Sequence, residues 1–411
     1  MLKSVWFLLG LGAVLAAPAL AQDSTFGISM PVTIGGAAMY TDRPQSDDPA
    51  SSPVNGGFRA VVYPTLRLGP HWFAYAAVQV RSTPYFYYDA YYADHDLYLD
   101  TLQAFVGYAA RTRNSTWVFK AGRLSSAFGS FPLHYDDADN PLLDQPLSYV
   151  QTLTLRHDQL ACGVKDLLRQ DYGWIMNWCG GVPGWDEGLT PVTLYGLPGI
   201  QAEFSGHRVD ARVQVTSGSP TNPLSLSHAS QYAQWAAGAG YTILQGFRVG
   251  VSGFRGPYLD PFLSAWLPAG TTVRDFPASG LGVDVQWARG HWSVSGEWQR
   301  FQFDSPNFTT APSLTSSYLE VKRVITPRLY VAGRAGWLKA GRAVDTSGVS
   351  TGEFAPGIGS YELAGGWWLN RHQLIKGGYE WLNTEYASGT RDNVLGVQFI
   401  TTFRAIDQAF R

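Results

Sequence analysis

From Phe26 onward the chain alternates. Phe26, Ile28, Met30, Val32 and Ile34 share one face, and Gly27, Ser29, Thr33 and Gly35 share the other. Period-two alternation over that length predicts a strand with one apolar side. A polar, Pro- and Ser-rich stretch from Thr41 to Asn55 reads as a loop. The next strand places Phe58, Ala60, Val62, Leu66 and Leu68 opposite Arg59, Tyr63, Thr65 and Arg67. A tight turn at Leu68-Gly69-Pro70-His71 leads to a third, where Ala74, Ala76, Val78 and Val80 alternate with Tyr75, Gln79 and Arg81.

The rhythm continues to the end of the chain. Short turns fall at 111–114, 206–207, 243–245, 289–290, 326–327 and 370–371. Long Gly/Pro/Ser connections lie between them, near 84–95, 182–198, 217–230, 256–277, 304–315, 340–358 and 384–391. Alternating strands with short turns at one end and long loops at the other predict an all-β, transmembrane antiparallel β-barrel of about 18 strands, with about 16 as the alternative. The larger count includes segments at 147–157 and 170–181, where the alternation is faintest. An even number returns both chain ends to the short-turn side, and closure leaves no edge unpaired in lipid.

With the apolar face toward lipid, the other face lines the lumen. Arg208, Asp210, Arg212, Gln214 and Thr216 alternate with Val209, Ala211, Val213 and Val215 and are the clearest case. The same parity turns inward Arg59, Arg67, Arg81, Lys120, Glu203, Arg248, Asp284, Glu297, Glu320, Lys322, Arg334, Glu362, Lys376 and Glu380. Arg or Lys on the lipid face at mid-depth costs about 2–4 kcal/mol, which makes inward the default. The set mixes both signs, so it fits a wet lumen, and it equally fits charges paired across strands that stabilise the wall. Trp72, Trp287, Trp292, Trp298, Trp337, Trp367 and Trp381 mostly share the lipid-facing parity and read as interfacial girdles. Trp368 and Tyr330 are the candidates for an aromatic sugar track in the lumen.

Composition agrees with lipid on one face. Only 15% of residues are charged, beside 45 glycines, 22 tyrosines, 21 phenylalanines and 15 tryptophans, whereas soluble domains carry about 25% charged residues. A secreted β-sandwich or propeller is the soluble alternative. Lys3, the apolar run Val5 to Leu15 and Ala19-Leu20-Ala21 make 1–21 a cleaved signal peptide, with 22–411 as the barrel. A net charge of -2 gives no case for a nucleic-acid partner. Arginines outnumber lysines 24 to 6, as suits fixed, hydrogen-bonded wall positions. Cys162 and Cys179 are the only cysteines, and export permits them a structural disulfide. They form no metal-ligand spacing, and nothing in the chain calls for a cofactor.

One stretch breaks the pattern. Between Lys120 and Tyr149 the alternation stops and Asp136, Asp137, Asp139 and Asp144 appear. An acidic excursion at about 125–149 predicts a loop that folds inward and narrows the lumen.

Lys120-Ala121-Gly122-Arg123 followed by Phe128-Gly129 resembles the strand-to-constriction segment of bacterial outer-membrane porins. The phosphate-selective porin group carries a similar G-[KR]-x-x-x-x-F-G run. Asn393 to Phe403 resembles the closing strand that bacterial barrel-assembly machinery recognises, although eight residues follow Phe403. The resemblance implies an outer-membrane location, contact with outer-membrane lipid, insertion by that machinery and passive diffusion of small hydrophilic solutes or ions. It leaves a homotrimer open. Phosphate selectivity is not implied, because aspartates follow the motif where clustered lysines or arginines belong. Asp136, Asp137 and Asp139 facing Lys120, Arg123, Arg59 and Arg67 suggest instead a transverse field at the narrow point.

Three other readings stand beside it. Asp137-Ala138-Asp139-Asn140 has oxygen donors for calcium but lacks the glycine and distal glutamate of a calcium loop. The barrel is otherwise a closed structural or assembly protein. A lipid-modifying hydrolase needs a serine with a base and an orienting group; no His/Ser pairing falls at a fixed strand spacing, and His134 and His157 near the excursion read as loop residues.

Overall fold

The computed structural model describes residues 26–42, 52–86, 97–134, 136–153, 155–169, 178–181, 188–221, 232–351, 357–384 and 390–410. The signal peptide assigned to 1–21 lies outside them.

The strands form one closed antiparallel wall. They are β1 (Phe26–Thr41), β2 in two segments (Val54–Val62 and Thr65–Leu68), β3 (Trp72–Ser82), β4 (Leu97–Arg111), β5 (Ser115–Ser125), β6 (Tyr195–Gly206), β7 (Val209–Thr216) and β8 (Gln234–Leu244). The second half comprises β9 (Phe247–Pro257), β10 (Pro277–Arg289), β11 (Trp292–Phe303), β12 (Ser313–Val324), β13 (Leu329–Ala340), β14 (Ile358–Asn370), β15 (Gln373–Thr384) and β16 (Thr390–Phe410). Each strand pairs with the next, and β1 closes on β16 from Phe26↔Phe410 to Thr41↔Val394. The sheet has 17 segments, of which the two in β2 share the neighbours β1 and β3, so the wall has 16 strand positions. The break in β2 falls at Tyr63-Pro64, where proline has no N–H for the ladder.

Sixteen, the alternative count, is therefore the one realised, and the two surplus segments are not in the wall. Leu147–Val150 is a single helical turn. Gln159–Ala161 pairs with Trp178–Gly181 as a small ribbon, and residues 170–177 lie outside the described set. Leu147, Leu153, Leu155 and Leu160 are buried in an interior cluster, so their hydrophobicity imitated a lipid face. The last strand also differs from expectation. It does not end at Phe403 but runs to Phe410, with a register shift opposite Met30-Pro31.

The short turns hold their shape through local chemistry. Gly246 has φ 82°, and a Cβ there would come within 2.3 Å of the Ala288 carbonyl oxygen, so this reversal excludes a side chain. Both ends of the described chain sit on the short-turn side.

Outward positions are apolar through the middle of the wall, with Val213, Val251, Leu281, Leu319, Val331, Leu363, Val397 and their neighbours exposed. Trp72, Trp292, Trp298, Trp337, Trp367 and Trp381 are exposed on the same face. No helix among the described residues is long and apolar enough to cross a membrane. Strands carry the apolar surface instead.

Candidate functional site

The connection between β5 and β6 occupies 126–194, and its beginning runs into the barrel interior. Gly129 has φ 76°, and a Cβ there would lie 2.1 Å from the Tyr149 hydroxyl, so the chain passes this point only as glycine. The backbone N–H groups of Ser130 and Phe131 and the Ser130 hydroxyl all donate to Glu297 Oε1, at 2.7, 2.7 and 2.6 Å. Tyr149 donates to the other carboxylate oxygen at 2.7 Å, and Tyr318 donates to Oε1 at 3.2 Å. Burial and the Glu297 carboxylate push the Tyr149 phenol well above its ordinary pKa, which keeps it a donor. Ala127 N–H donates to Gln214, Gly129 N–H to Ser252, and Arg212 donates to the carbonyls of Ala127 and Gly129. One end of the insert is thus fixed to β7, β9 and β11.

The acidic stretch is fixed to the opposite wall. Asp137 accepts from Arg59 Nη1 at 2.8 Å and from Tyr85 at 3.0 Å, and the ion pair is almost fully buried. Asp136 accepts from Thr33 at 3.1 Å and from Tyr63. Lys376 Nζ donates to three insert carbonyls, those of Asp137, Asn140 and Leu142, at 3.0, 3.2 and 2.7 Å. Glu362 accepts from the N–H of Leu143 at 2.8 Å, while Arg334 joins Glu320, Glu362 and the Asp144 carbonyl. Two of the oxygen donors of the calcium reading are occupied here: the Asp137 carboxylate accepts from Arg59 and Tyr85, and the Asn140 side-chain oxygen accepts from the Leu142 N–H while its amide nitrogen donates to the Asp144 carbonyl.

Between these anchors the lumen is filled. Phe128, Phe131 and Leu147 of the insert pack with the inward-facing Phe254, Phe301 and Leu314 of the wall. Phe128 meets Phe254 edge-on at 5.0 Å and Phe301 at 5.7 Å. At the long-loop end of β9, β11 and β13 the polarity of the two faces is therefore reversed, with Arg255, Arg300 and Lys339 pointing outward. The "charged means inward" rule missed this apolar surface, along with Tyr149, Tyr318 and Ser252. Following strand parity past mid-depth would have exposed the reversal, because Phe254, Phe301 and Leu338 keep the inward register of Arg248, Glu297 and Arg334. Tyr330 is buried, with Lys322 4.3 Å from its ring centre, and Trp368 packs against the same cluster, so neither forms an open track.

The remaining expected site residues are placed as follows. Lys120 donates to Glu203 at 2.6 Å on the adjoining strand rather than facing the aspartates. Arg248 bridges Asp210 at 2.7 Å and Asp284 at 2.5 Å, and Glu380 accepts from Ser360 at 2.6 Å. Arg208 is exposed at the short-turn end, donating to the Ile243 carbonyl. Arg67 faces inward beside Gly27 and Phe73. Asp139 is open to the lumen, and its pKa is pushed up to about 6 by burial among surrounding protein and by Asp136, against the pull of Lys322. Arg81 and Arg123 line a cavity of about 280 Å³ between the insert and β3–β6. A hollow of about 450 Å³ near Ile200 and Val215 lies on the outward face and has no charged lining. Cys162 and Cys179 are bonded, with Cα atoms 5.0 Å apart, and tie the small ribbon together.

No protein-family model matches the chain, and no curated protein matches it in sequence. Solved structures do match in shape. An anion-selective porin from Comamonas acidovorans is similar over 92% of this chain and 100% of its own, with a TM-score of 0.55 and 11% identity. Salmonella typhi OmpF, in a complex with daunomycin, is similar over 92% and 97%, with a TM-score of 0.54 and 8% identity. A loop-deletion mutant of OmpT, an outer membrane protein of Vibrio cholerae, covers 92% and 100% at 0.51 and 9%. At these identities the likeness is one of fold.

Proposed function

We propose that this protein is an outer-membrane porin, a passive diffusion channel for small hydrophilic solutes or ions. The observation that carries the reading is a closed wall of 16 strand positions, apolar outside and charged inside, crossed by an insert bound to both walls. Barrels of about 16–18 strands are wide enough to hold a water channel. The insert reduces that channel without occupying the cavity beside β3–β6.

In this reading residues 1–21 export the chain, and barrel-assembly machinery inserts residues 22–411 in the outer membrane. The constriction is the edge of the insert facing β2–β6. Charge along the lumen comes from Arg67 and Arg123 near that edge and from Asp139 with Lys322 elsewhere on the insert's surface, whereas Asp137, Lys120 and Arg334 are each matched by a neighbour. Selection is by size and by the local field of those groups. A homotrimer is consistent with this role; a trimer form of Vibrio cholerae OmpT is among the similar structures. A channel is favoured over a hydrolase or a closed structural barrel because the buried carboxylates hold the insert in place and a cavity of about 280 Å³ stays beside it.

Single-channel recording of the refolded protein in a planar bilayer tests this. Steady unitary steps are expected. A correctly folded barrel that gives no conductance would overturn the reading.

A further inference from the structure

We propose that Arg289, Trp292 and Arg323 form a binding site on the outward face of the wall for the head group of a net-negative phospholipid. The inference rests on the wall standing in a membrane and not on conduction.

The three residues make one row across three strands. At the short-turn end of β10, β11 and β12 the register sets Arg289 opposite Trp292 and Trp292 opposite Arg323. Directly opposed residues of an antiparallel pair share a face. All three are exposed, and they continue the outward parity of Val283, Trp298 and Leu319. Neighbouring strands lie about 4.8 Å apart, so the two arginine stems stand about 10 Å apart with the indole between them. The Arg323 guanidinium carbon lies 4.9 Å from the Trp292 ring centre, which holds that charge against the indole. The backbone beside the row is fixed. Gly290 turns the chain with φ 61°, and the His291 carbonyl accepts from the Val324 N–H at 2.8 Å.

The protein leaves both charges unanswered. The acids of these strands, Asp284, Glu297 and Glu320, lie on the lumen side and are bonded there to Arg248, the insert and Arg334. Neither Arg289 nor Arg323 meets a carboxylate among the described residues. The short turns at 68–71, 111–114, 206–207, 243–245, 289–290, 326–327 and 370–371 contain no aspartate or glutamate to supply one.

Depth in the wall points to lipid as the source of the missing anion. One row further from the turn, Trp287, Val294 and Val321 are opposed on the same face and wholly apolar. The row therefore stands where an aromatic belt gives way to charge, at the level of lipid phosphates rather than acyl chains. An outward arginine is costly at mid-depth and nearly free at that level. Guanidinium forks match phosphate oxygens in pairs. Two cations with no acid between them favour a head group whose only charge is its phosphate, since a zwitterion would bring its own ammonium against them.

The probes are phosphatidylglycerol and phosphatidylcholine, added to the refolded protein in detergent, with retained lipid counted by native mass spectrometry. The first phosphatidylglycerol should bind in preference to phosphatidylcholine. Arg289→Gln and Arg323→Gln should each weaken it about fivefold and together about thirtyfold. Arg323→Lys should lose most of that fivefold share despite keeping the charge, because an ammonium cannot reproduce the planar fork. Arg111→Gln with Arg113→Gln removes the same charge from another short turn and should leave the first site unchanged. Heat-modifiable migration on gels verifies that each variant folds.

Equal retention of the two lipids would overturn the site. An equal loss in the Arg111 and Arg113 variant would assign the effect to the net charge of the rim and overturn it too. Displacement of the lipid by glycerol phosphate at the same concentration would make a free phosphate the occupant in place of a lipid. A folded barrel that retains phosphatidylglycerol without conducting would refute the channel and keep the site, and a conducting barrel without lipid preference would do the reverse.

Discussion

Asp137 and Asp139 stand two positions apart and meet opposite surroundings. Asp137 is buried against an equally buried Arg59, with the Tyr85 hydroxyl on its second oxygen. Removing one member of such a pair leaves the other charge uncompensated, so Asp137→Ala should destabilise insert docking by about 3–5 kcal/mol. Protease sensitivity of the insert in the folded barrel measures it, and Arg59→Met combined with Asp137→Ala should recover part of the loss. Asp139 instead has an edge open to the lumen, and the surrounding protein, followed by the Asp136 charge, raises its pKa to about 6 while Lys322 opposes. Because its folded pKa lies above the ordinary 3.8, the docked state takes up a proton as pH falls through 6, and docking strengthens in that direction. The lumen loses one negative charge over the same range. Anion preference should therefore rise between pH 7 and pH 5, and Asp139→Asn should show the low-pH value throughout. A pH-dependent step of equal size in the variant would assign the titration to another group.

At the scale of elements, the wall was legible in the sequence, and the contacts of the insert were not. Alternation is imposed by lipid on one side and water on the other, so Arg212, Arg248 and Asp284 could be turned inward from parity alone. Nothing so periodic marks the insert, whose residues answer to particular wall groups far along the chain: Ser130 to Glu297, Leu143 to Glu362, Asp137 to Arg59. The aspartates could be recognised as unusual, but not as neutralised, because neutralisation depends on which wall they touch. The ribbon at Gln159–Ala161 and Trp178–Gly181 shows the same limit, since a short buried apolar run reads the same in a wall as in a plug. Its disulfide spans 17 positions and, by loop-closure entropy, contributes about 3 kcal/mol to that local unit. Cys162→Ser with Cys179→Ser should speed proteolysis within the insert and leave heat-modifiable migration of the barrel unchanged. A barrel that loses that migration would mean the ribbon also braces the wall.

For the whole molecule, two structures share one chain: a wall held by a continuous hydrogen-bond ladder, and a filling held by packing and buried charge. The ladder closes from Phe26↔Phe410 onward without needing the insert, whereas the insert depends on the inward aromatics of β9 and β11. Stability and aperture should therefore separate. Phe254 and Phe301 are fully buried against Phe128, and deleting a buried phenylalanine side chain costs about 3–5 kcal/mol. That loss falls on the packed face between insert and wall, while the polar anchors at Glu297 and Lys376 remain. Phe254→Ala with Phe301→Ala should leave the barrel closed, because no backbone pairing between β9, β10 and β11 involves those side chains. The insert should then sample partly undocked positions. Single-channel records should show larger mean conductance with added current noise, at unchanged heat-modifiable migration. Unchanged conductance would mean that the polar anchors alone set the aperture, and lost migration would mean that wall and filling fold as one unit.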